Sequence, residues 1–485
     1  MRFRTTLILL LVALGLGAYV YFVEFQKAEQ EAQKKTLFEF KSDEVVQVTL
    51  TYADRIIELK QADGGWRLVQ PLDTAADDTA ARNLVTAIAD CEVKKEVENP
   101  QSELAVYGLD TPLVTIKVRL RDRELPAVTV GKNTPVGFST YISREDDKKI
   151  RLTTSAFRSG MDKQAKDLRD KTILAFADDD VRQIGIHGSQ QNIVLSKKDD
   201  KWAIEQPASY AADQSAIRTL LSTLRSMRAL DFPSEDAQDL APYGLDAPRL
   251  ALTLHLAQGD EQKTLLIGKE NDKKELFVKS TAKPTIYTVS EWIFRDLNKE
   301  LKDFRDKTVL AFDKEAVRRL ELTRADGTAV KLTRGDEQKW RVDGAGDAKS
   351  AENTISQYLS DLHDLKGFDI AADHPANRAD YGLQPPALSL ALIGANDARL
   401  GTILIGRRQP EATKTEYTAM AEGGDTVFLL RDYLFTRLDK QQKDFLEQPT
   451  PAVPPAPAPQ IGEHDEEDEG EEEPLGDEQF GAEEE

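Results

Sequence analysis

The sequence predicts an α+β protein in which one module is repeated three times in tandem, each copy combining antiparallel sheet with helices. Three observations predict it: a set of motifs that recurs after Trp66, Trp202 and Trp340, an apolar helical stripe at a fixed distance after each tryptophan, and strands with period-two alternation around that stripe. The 485 residues are 40% hydrophobic and 31% charged. This composition favours several soluble cores over a protein with many membrane spans.

The recurring motifs keep the same order and nearly the same spacing. Each tryptophan closes a strand-like segment, and Tyr-Gly-Leu follows it after 41 residues in all three copies. Lys-Thr precedes each tryptophan. Tyr-Gly-Leu is followed first by Pro and later by an apolar residue with Gly. A charged segment ends each copy. The markers are Thr36, Thr172 and Thr308; Tyr107, Tyr243 and Tyr381; Pro112, Pro248 and Pro386; Gly131, Gly268 and Gly406; and the segments Met161–Leu168, Leu297–Phe304 and Leu438–Phe445. They predict repeat 1 at residues 36–171, repeat 2 at 172–307 and repeat 3 at 308–446.

One helix is predicted after each tryptophan. Apolar residues stand 15, 18, 19, 22 and 25 positions after it, and these intervals place them on one stripe that packs on a sheet. The stripes are Ala81, Leu84, Val85, Ile88 and Cys91; Ile217, Leu220, Leu221, Leu224 and Met227; and Ile355, Tyr358, Leu359, Leu362 and Leu365. Because Cys91 takes the place of Met227 and Leu365, we expect a core residue rather than a nucleophile or redox group.

Strands surround this helix. Val46, Val48 and Leu50 with Ile57 and Leu59 predict a hairpin, and the alternation recurs at Leu252, Leu254 and Leu256 and at Leu388, Leu390 and Leu392. Tyr-Gly-Leu-x-x-Pro predicts a turn in which Gly takes a positive φ and Pro prevents a helix from continuing. Each repeat then reads as hairpin, strand, helix, turn, three or four strands and a lysine-rich closing helix. No Gly/Pro-rich linker follows that helix, so we expect the repeats to pack end to end.

The N-terminus contains a candidate membrane segment. Residues Thr5 to Val23 carry no charge, and as a helix they would span about 28 Å of a hydrocarbon core of about 30 Å. Arg2 and Arg4 precede them, so the positive-inside rule predicts a cytoplasmic N-terminus. The sequence thus predicts residues 1–23 as a cytoplasmic start and transmembrane helix, 24–35 as a juxtamembrane linker, and an extracytoplasmic body. The alternative is a cleaved signal peptide, although Leu16 is bulky where cleavage near Ala18 needs a small residue.

Residues 447–485 predict a disordered tail. Pro449 to Pro459 is rich in Pro and Ala, and residues 461–485 contain 14 carboxylates and no Lys or Arg. Of the net charge of −21, only −7 therefore belongs to the rest of the chain. The tail is interpreted as a solubilising extension or, alternatively, as a segment that attracts cations or a basic partner surface.

Composition also excludes several kinds of chemistry. The acidic balance argues against a nucleic-acid partner, because backbone phosphates require clustered positive charge. The single cysteine excludes an internal disulfide, a structural Cys-based zinc site and an iron–sulfur cluster. The chain has five histidines. His187, His255 and His363 lie at positions where the other two repeats have no histidine.

The sequence accordingly predicts no catalytic, cofactor-binding or metal-binding residue. Gly131 to Thr134 imitates part of a phosphate-binding loop, but Pro126 stands where the pattern needs Gly. Asp178, Asp179 and Asp180 favour a solvated turn over a Ca²⁺ site. A pair of glycosidase carboxylates stays open, because the spatial separation of acids is not readable from sequence.

The combined signature resembles a known bacterial family, the domain of unknown function 4340. The resemblance depends on the N-terminal apolar helix and on repeats with Pro five residues after Trp, Tyr-Gly-Leu-x-x-Pro, apolar-Gly and Asp-Lys-Thr, and it covers about Thr36 to Phe445. Repeat 3 departs at Asp343 to Asp347, where a Gly-rich segment replaces that Pro. Family members resemble accessory components found beside gliding-motility-type ABC transport systems, and the resemblance implies no catalytic residue.

Three functions follow as hypotheses. The first is a non-enzymatic, single-pass periplasmic repeat protein of the bacterial inner membrane, which serves as an accessory or scaffold subunit and contacts an ABC-type permease or another envelope protein. The second is a structural or adhesive surface protein. The third is an envelope hydrolase that works through carboxylates.

Overall fold

A computed structural model describes residues 16, 19, 35–98, 100, 102–189, 191–257, 261–335, 339–411 and 414–447. The predicted transmembrane segment, apart from Leu16 and Tyr19, the linker before Lys35 and the tail after Glu447 lie outside the described residues. Within the described residues, no helix combines the length and the apolar character needed to cross a membrane. The chain divides into two compact units, one that ends at Asp306 and one that begins at Lys307.

Repeat 1 forms one antiparallel sheet with the strand order β4-β3-β2-β1-β6-β7-β8-β9-β5. Its helices are α1 (Asp78–Ala89), α2 (Ser155–Met161) and α3 (Ala165–Leu168). Its strands are β1 (Val45–Thr51), β2 (Ile56–Ala62), β3 (Gly65–Gln70), β4 (Thr74–Ala75), β5 (Lys95–Glu96), β6 (Val114–Leu120), β7 (Val128–Asn133), β8 (Ser139–Arg144) and β9 (Ile150–Thr154).

Repeat 2 has the same sheet, with the order β13-β12-β11-β10-β15-β16-β17-β18-β14. Its helices are α4 (Gln214–Ser226), α5 (Trp292–Leu297) and α6 (Leu301–Phe304). Its strands are β10 (Val181–Gly188), β11 (Asn192–Lys198), β12 (Lys201–Gln206), β13 (Tyr210–Ala211), β14 (Asp231–Ser234), β15 (Leu250–Leu256), β16 (Gln262–Glu270), β17 (Glu275–Ser280) and β18 (Ile286–Ser290).

Repeat 3 forms an eight-stranded sheet with the order β21-β20-β19-β23-β24-β25-β26-β22. Its helices are α7 (Glu352–His363) and α8 (Asp432–Leu438). Its strands are β19 (Arg319–Arg324), β20 (Ala329–Arg334), β21 (Trp340–Val342), β22 (Asp369–Asp373), β23 (Leu388–Ile393), β24 (Arg399–Glu411), β25 (Lys414–Ala421) and β26 (Thr426–Leu430). In the Gly-rich segment after Trp340, Gly344 and Gly346 adopt positive φ, and the described residues there contain no counterpart of β4. The α+β class and the three-repeat architecture are therefore confirmed.

The long helix of each repeat packs its predicted stripe against the sheet. Ala81, Leu84, Val85 and Ile88 of α1 are all buried, as are their equivalents in α4 and α7. The last stripe position differs from the prediction, because Cys91, Met227 and Leu365 lie just beyond the helix ends. All three are nevertheless 2% exposed, so the prediction of a core residue is confirmed.

Three local predictions were wrong in detail. The core strand β1 buries Val45, Val48 and Leu50, whereas Val46 is the extra residue of a β-bulge and is half-buried. The tryptophans stand at the beginning of their strands rather than at the end. The closing helix is broken after Met161: α3 starts afresh at Ala165 with a reciprocal cap between Gln164 and Asp167.

Two of the recurring motifs meet in space and explain each other. A short 3-10 helix ends at each Tyr-Gly-Leu, whose Gly takes a left-handed φ of 64°, 64° or 67°. A Cβ added at the Gly of the apolar-Gly motif would lie only 2.2 Å from the tyrosine carbonyl oxygen in every repeat. The pairs are Gly131 with Tyr107, Gly268 with Tyr243 and Gly406 with Tyr381. The two motifs therefore recur because they form one packing contact.

Repeats 1 and 2 also share a charged contact at their boundary. The Arg169 guanidinium donates to both carboxylate oxygens of Glu235 at 2.5 and 2.6 Å and stacks 3.8 Å from the Phe232 ring centroid. Lys166 pairs with Asp231 at 3.3 Å. These contacts join the end of one repeat to β14 and the segment directly after it in the next.

Candidate functional site

The histidines considered from sequence occupy separate places. His187 is exposed at the end of β10, and His255 is half-buried on β15. His363 ends α7, where its Nδ1 lies 2.8 Å from Asp364 and its ring meets Phe312 edge-on. The described residues contain no group of three or more His, Cys, Asp or Glu side chains that could hold a metal ion.

The other residues weighed from sequence have structural surroundings. Asp178, Asp179 and Asp180 form a short 3-10 turn before β10, and Asp178 pairs with Arg225 at 3.2 Å. Gly131 lies within β7 against the Tyr107 carbonyl. Cys91 has its sulfur 3.6 Å from the Thr153 hydroxyl, and burial raises the pKa of its thiol to about 11. A thiol with such a pKa stays protonated at neutral pH, so it is not an activated nucleophile.

The three repeats differ at the contact between the first hairpin turn and the segment between the two closing helices. This segment, residues 162–164 in repeat 1 and 298–300 in repeat 2, is called the linking segment. In repeat 1 the Tyr52 hydroxyl donates to the Met161 carbonyl at 2.6 Å and accepts from the Lys163 N–H at 3.0 Å. The Arg55 guanidinium donates to the Lys163 carbonyl at 3.0 and 3.1 Å and pairs with Asp162 at 3.3 Å. Tyr52 and Arg55 therefore cover the linking segment.

Repeat 3 covers the same segment with different residues. Arg324 stands at the position of Tyr52, and its guanidinium donates to Asp439 at 2.6 Å and to the Lys440 carbonyl at 2.5 Å. Tyr358 of α7 donates its hydroxyl to the Leu438 carbonyl at 2.6 Å. Leu438 is the counterpart of Met161, so the same carbonyl receives a buried tyrosine hydroxyl in repeats 1 and 3.

Among the described residues of repeat 2, neither the tyrosines nor the arginines of this contact have a counterpart of the same type, and the remaining contact to the linking segment is made by Gln191 with Asn298. Gly188 and Gln191 stand at the positions of Tyr52 and Arg55, and Leu220 stands at the position of Tyr358. A cleft of about 830 Å³ occupies the site. It is lined by Ser189, Gln191, Asn192, Ile193, Gln206, Pro207, Asn298, Glu300 and Leu301. Its volume lies in the range of small-molecule sites.

The corresponding surface of repeat 1 keeps a depression of about 670 Å³. Its lining includes Tyr52 and Arg55 but no residue of the linking segment 162–164. In repeat 2, by contrast, Asn298 and Glu300 of that segment face the cleft directly. The loss of the covering residues therefore changes which residues line the site and with them its chemistry.

The cleft presents carboxamides that are only partly satisfied. Gln191 donates to the side-chain oxygen of Asn298 at 2.8 Å, and Asn192 donates to Gln206 at 3.4 Å. A carboxamide carries two donors and an acceptor oxygen with two lone pairs. Each pair therefore keeps both a donor and an acceptor for a ligand.

The charge of the cleft is low. Glu300 is the one carboxylate among its lining residues, and it is engaged by the backbone N–H of Asp303 and by Lys302 at 3.2 Å. Neither Lys nor Arg is among the lining residues. The arrangement suits a neutral polar ligand or a polar peptide segment bound through paired hydrogen bonds.

A second cleft, of about 590 Å³, lies at the start of repeat 1 and contains many cations. Three of these cations are paired with acids: Arg144 with Asp146, Arg151 with Asp147, and Lys149 with Glu96. The ion pair with Arg151 lowers the pKa of Asp147 to about 2. Lys95 and Arg123 also have acidic partners, Glu98 and Asp122, so five of the seven cations in the lining are paired within the protein. Most of the positive charge is therefore compensated, which makes this cleft a weaker candidate for ligand binding.

The sequence contained a signal for the repeat 2 cleft, and the search for recurring residues missed it. The informative positions are those where one copy departs from the others, namely Gly188 and Gln191 against Tyr52 and Arg55. That departure indicates a binding site only when the hairpin turn is known to lie against the linking segment. This contact joins residues far apart in the chain, so the sequence alone does not reveal it.

Comparison with known proteins gives one finding. A family model described as "Domain of unknown function (DUF4340)" matches residues 66–232, 202–340 and 340–455. The three matches begin at the three tryptophans. No curated protein and no solved structure matches the chain.

Proposed function

The chain belongs to the DUF4340 family, and from this premise we propose that it is a non-enzymatic, membrane-anchored repeat protein of the bacterial envelope. In this proposal its body is extracytoplasmic, and repeat 2 binds a partner as an accessory or scaffold subunit of an ABC-type transport system. The observation that carries the binding role is the cleft of about 830 Å³ in repeat 2, whose lining includes the linking segment that side chains cover in repeats 1 and 3.

The chemistry of the cleft supports binding rather than catalysis. Four of its nine lining residues are carboxamides, which supply both donors and acceptors to a polar segment of a partner. Hydrolysis of a glycan by two acids requires a pair of carboxylates, whereas this cleft offers Glu300, already engaged with Lys302. Membrane anchoring is supported by the uncharged run Thr5 to Val23, and the transport partner is supported by the resemblance of the family to transport accessories.

The test rebuilds the repeat 1 surface in repeat 2. The double variant Gly188→Tyr with Gln191→Arg introduces the covering pair, and Gly188 tolerates a Cβ because its nearest neighbour is the flexible Gln191 side chain at 3.3 Å. The full chain, solubilised from membranes in detergent, is expected to co-purify with transporter subunits. The double variant should lose them by at least about tenfold.

The matched control is Thr328→Arg, which adds a cation at the equivalent turn of repeat 3, where Arg324 already covers the site. It should retain the partner. Wild-type protein that purifies from native membranes without transporter subunits would overturn the proposal.

The second candidate function is a structural or adhesive surface protein. It is favoured by the fact that the motifs shared by all repeats serve packing, as the contact of Gly268 with Tyr243 illustrates. Deletion of the protein would then change surface attachment and leave transport unaltered, which is the reverse of the outcome expected for a transport accessory.

A further inference from the structure

The hairpin turn between β7 and β8 of repeat 1 is an apolar tip. Val136 is 89% exposed and Phe138 is 88% exposed, which makes them the most exposed large apolar side chains among the described residues. Residues 134–139 carry no charge. The equivalent turn of repeat 2 reads Asn271, Asp272, Lys273 and Lys274 instead.

The tip lies close to the place where the chain enters the folded body. Lys94 donates from its ammonium group to the Phe138 carbonyl at 3.2 Å, and the neighbouring Val93 donates its N–H to the Lys35 carbonyl at 2.7 Å. Lys35 begins the continuous run of described residues and comes twelve residues after Val23. Twelve extended residues reach at most about 40 Å, so an anchor that ends at Val23 would hold Lys35 within that distance of the bilayer and leave the tip within reach of lipid.

The shape of the tip favours lipid over a protein partner. Two side chains on a single turn form a narrow wedge, whereas a stable protein interface needs roughly 1,000 Å² or more of buried surface. Exposed aromatic and aliphatic groups of this kind insert at the boundary between lipid headgroups and acyl chains, and a nearby cation contacts the phosphate layer. Lys94 is exposed and stands beside the tip.

We propose that the Pro135–Phe138 tip inserts into the outer face of the membrane that anchors the chain and so fixes repeat 1 against the lipid surface. The inference rests on the membrane anchor of the proposed function. It adds a second, shallow attachment, which orients the repeats rather than merely tethering them.

The test uses the full chain in the Cys91→Ser background, reconstituted into vesicles of phosphatidylcholine and phosphatidylglycerol. Val136→Cys carries an environment-sensitive fluorophore on the tip, and Asp272→Cys carries the same label on the equivalent turn of repeat 2. The label at 136 is expected to shift its emission to the blue and to be quenched at least about threefold more by spin-labelled lipid than the label at 272. Adding Phe138→Asp should abolish both effects at 136 while the protein still floats with the vesicles.

The outcomes separate this inference from the proposed function. Protein that floats with the vesicles while the label at 136 stays as aqueous as the label at 272 overturns the tip insertion alone. Protein that fails to float overturns the membrane anchor and the insertion with it. A blue shift in native membranes that is absent from pure lipid vesicles would point to a membrane-protein partner and overturn the lipid contact.

Discussion

Repeats 1 and 2 have the same strand order and the same β-bulge after Val45 and Val181, yet they differ where the first hairpin turn meets the linking segment. Repeat 1 covers the linking segment with Tyr52 and Arg55, whereas in repeat 2 that segment lines a cleft. The shared features are backbone contacts and core side chains that cannot change without cost. In a repeat protein, the positions at which one copy departs from the others are therefore the better guide to function.

The largest expected effect comes from a substitution that disrupts the packing contact shared by all three repeats. Gly268→Ala would place a methyl group 2.2 Å from the Tyr243 carbonyl oxygen and 3.0 Å from that of Gly244, and both obstacles are backbone. We expect a loss of more than about 3 kcal/mol in the unfolding free energy of repeat 2, because the turn must move off the strand. Native-state hydrogen exchange of β16 measures it.

The matched control for this change is Gly160→Ala in α2, where a new Cβ meets nothing within 4 Å. It should stabilise repeat 1 by about 0.5–1 kcal/mol, the usual gain from replacing a helical glycine. Wild-type protection of β16 in Gly268→Ala would show that the two motifs do not form an essential packing contact.

The next effect tests the tyrosine hydroxyls that cover the linking segment in repeats 1 and 3 but not in repeat 2. Tyr358→Phe removes a buried hydroxyl from the Leu438 carbonyl and should lower the unfolding free energy of repeat 3 by about 1–3 kcal/mol, because the acceptor is left unpaired. Tyr52→Phe removes the equivalent bond in repeat 1 and should have an effect of the same sign. Chemical unfolding followed by hydrogen exchange resolves each repeat.

Tyr433→Phe provides the comparison, since Tyr433 is 61% exposed and its change should stay within about 0.5 kcal/mol. Equal stability of Tyr358→Phe and Tyr433→Phe would mean that the covering tyrosines do not stabilise the linking segment.

The smallest effect concerns the core position occupied by Cys91 in repeat 1 and Leu365 in repeat 3. Burial raises the pKa of the thiol from 9.0 to about 11. Between these values the unfolded chain binds fewer protons than the folded one, so the unfolding free energy of repeat 1 falls as pH rises. The expected loss is about 1 kcal/mol at pH 10.

Cys91→Leu copies repeat 3 and should remove this alkaline loss, whatever its effect at neutral pH. The measurement is the difference between wild type and variant in unfolding free energy at pH 7 and pH 10. An identical decline in both proteins would place the alkaline sensitivity on other groups.

Much of the fold follows from sequence because repetition supplies an internal comparison. The helical stripe was predicted through Ile88, Leu224 and Leu362, since three copies with one periodicity leave little choice of face. The details that failed depend on local backbone geometry. Periodicity alone did not reveal the extra residue at Val46, and the new cap at Gln164 breaks a segment that composition favours as one helix.

The candidate cleft was less accessible to sequence reasoning. Asn298 comes 107 positions after Gln191, and neither it nor the turn from Gly188 to Gln191 carries a recognised motif. They become neighbours because the hairpin turn and the linking segment lie against each other, and pairing of that kind is set by the whole sheet rather than by local propensity.

The sequence by itself determined the triplication, the α+β class, the helix faces and the burial of Cys91, because periodic apolar positions and repeated spacing report directly on which side chains leave water. Only the tertiary structure showed that the Tyr107 carbonyl packs where a side chain at Gly131 would lie. It also showed that Tyr52 and Arg55 cover a segment more than 100 residues away, and that the same segment lines a cleft in repeat 2. Those outcomes depend on distances between groups far apart in the chain, which close packing fixes and residue order alone does not.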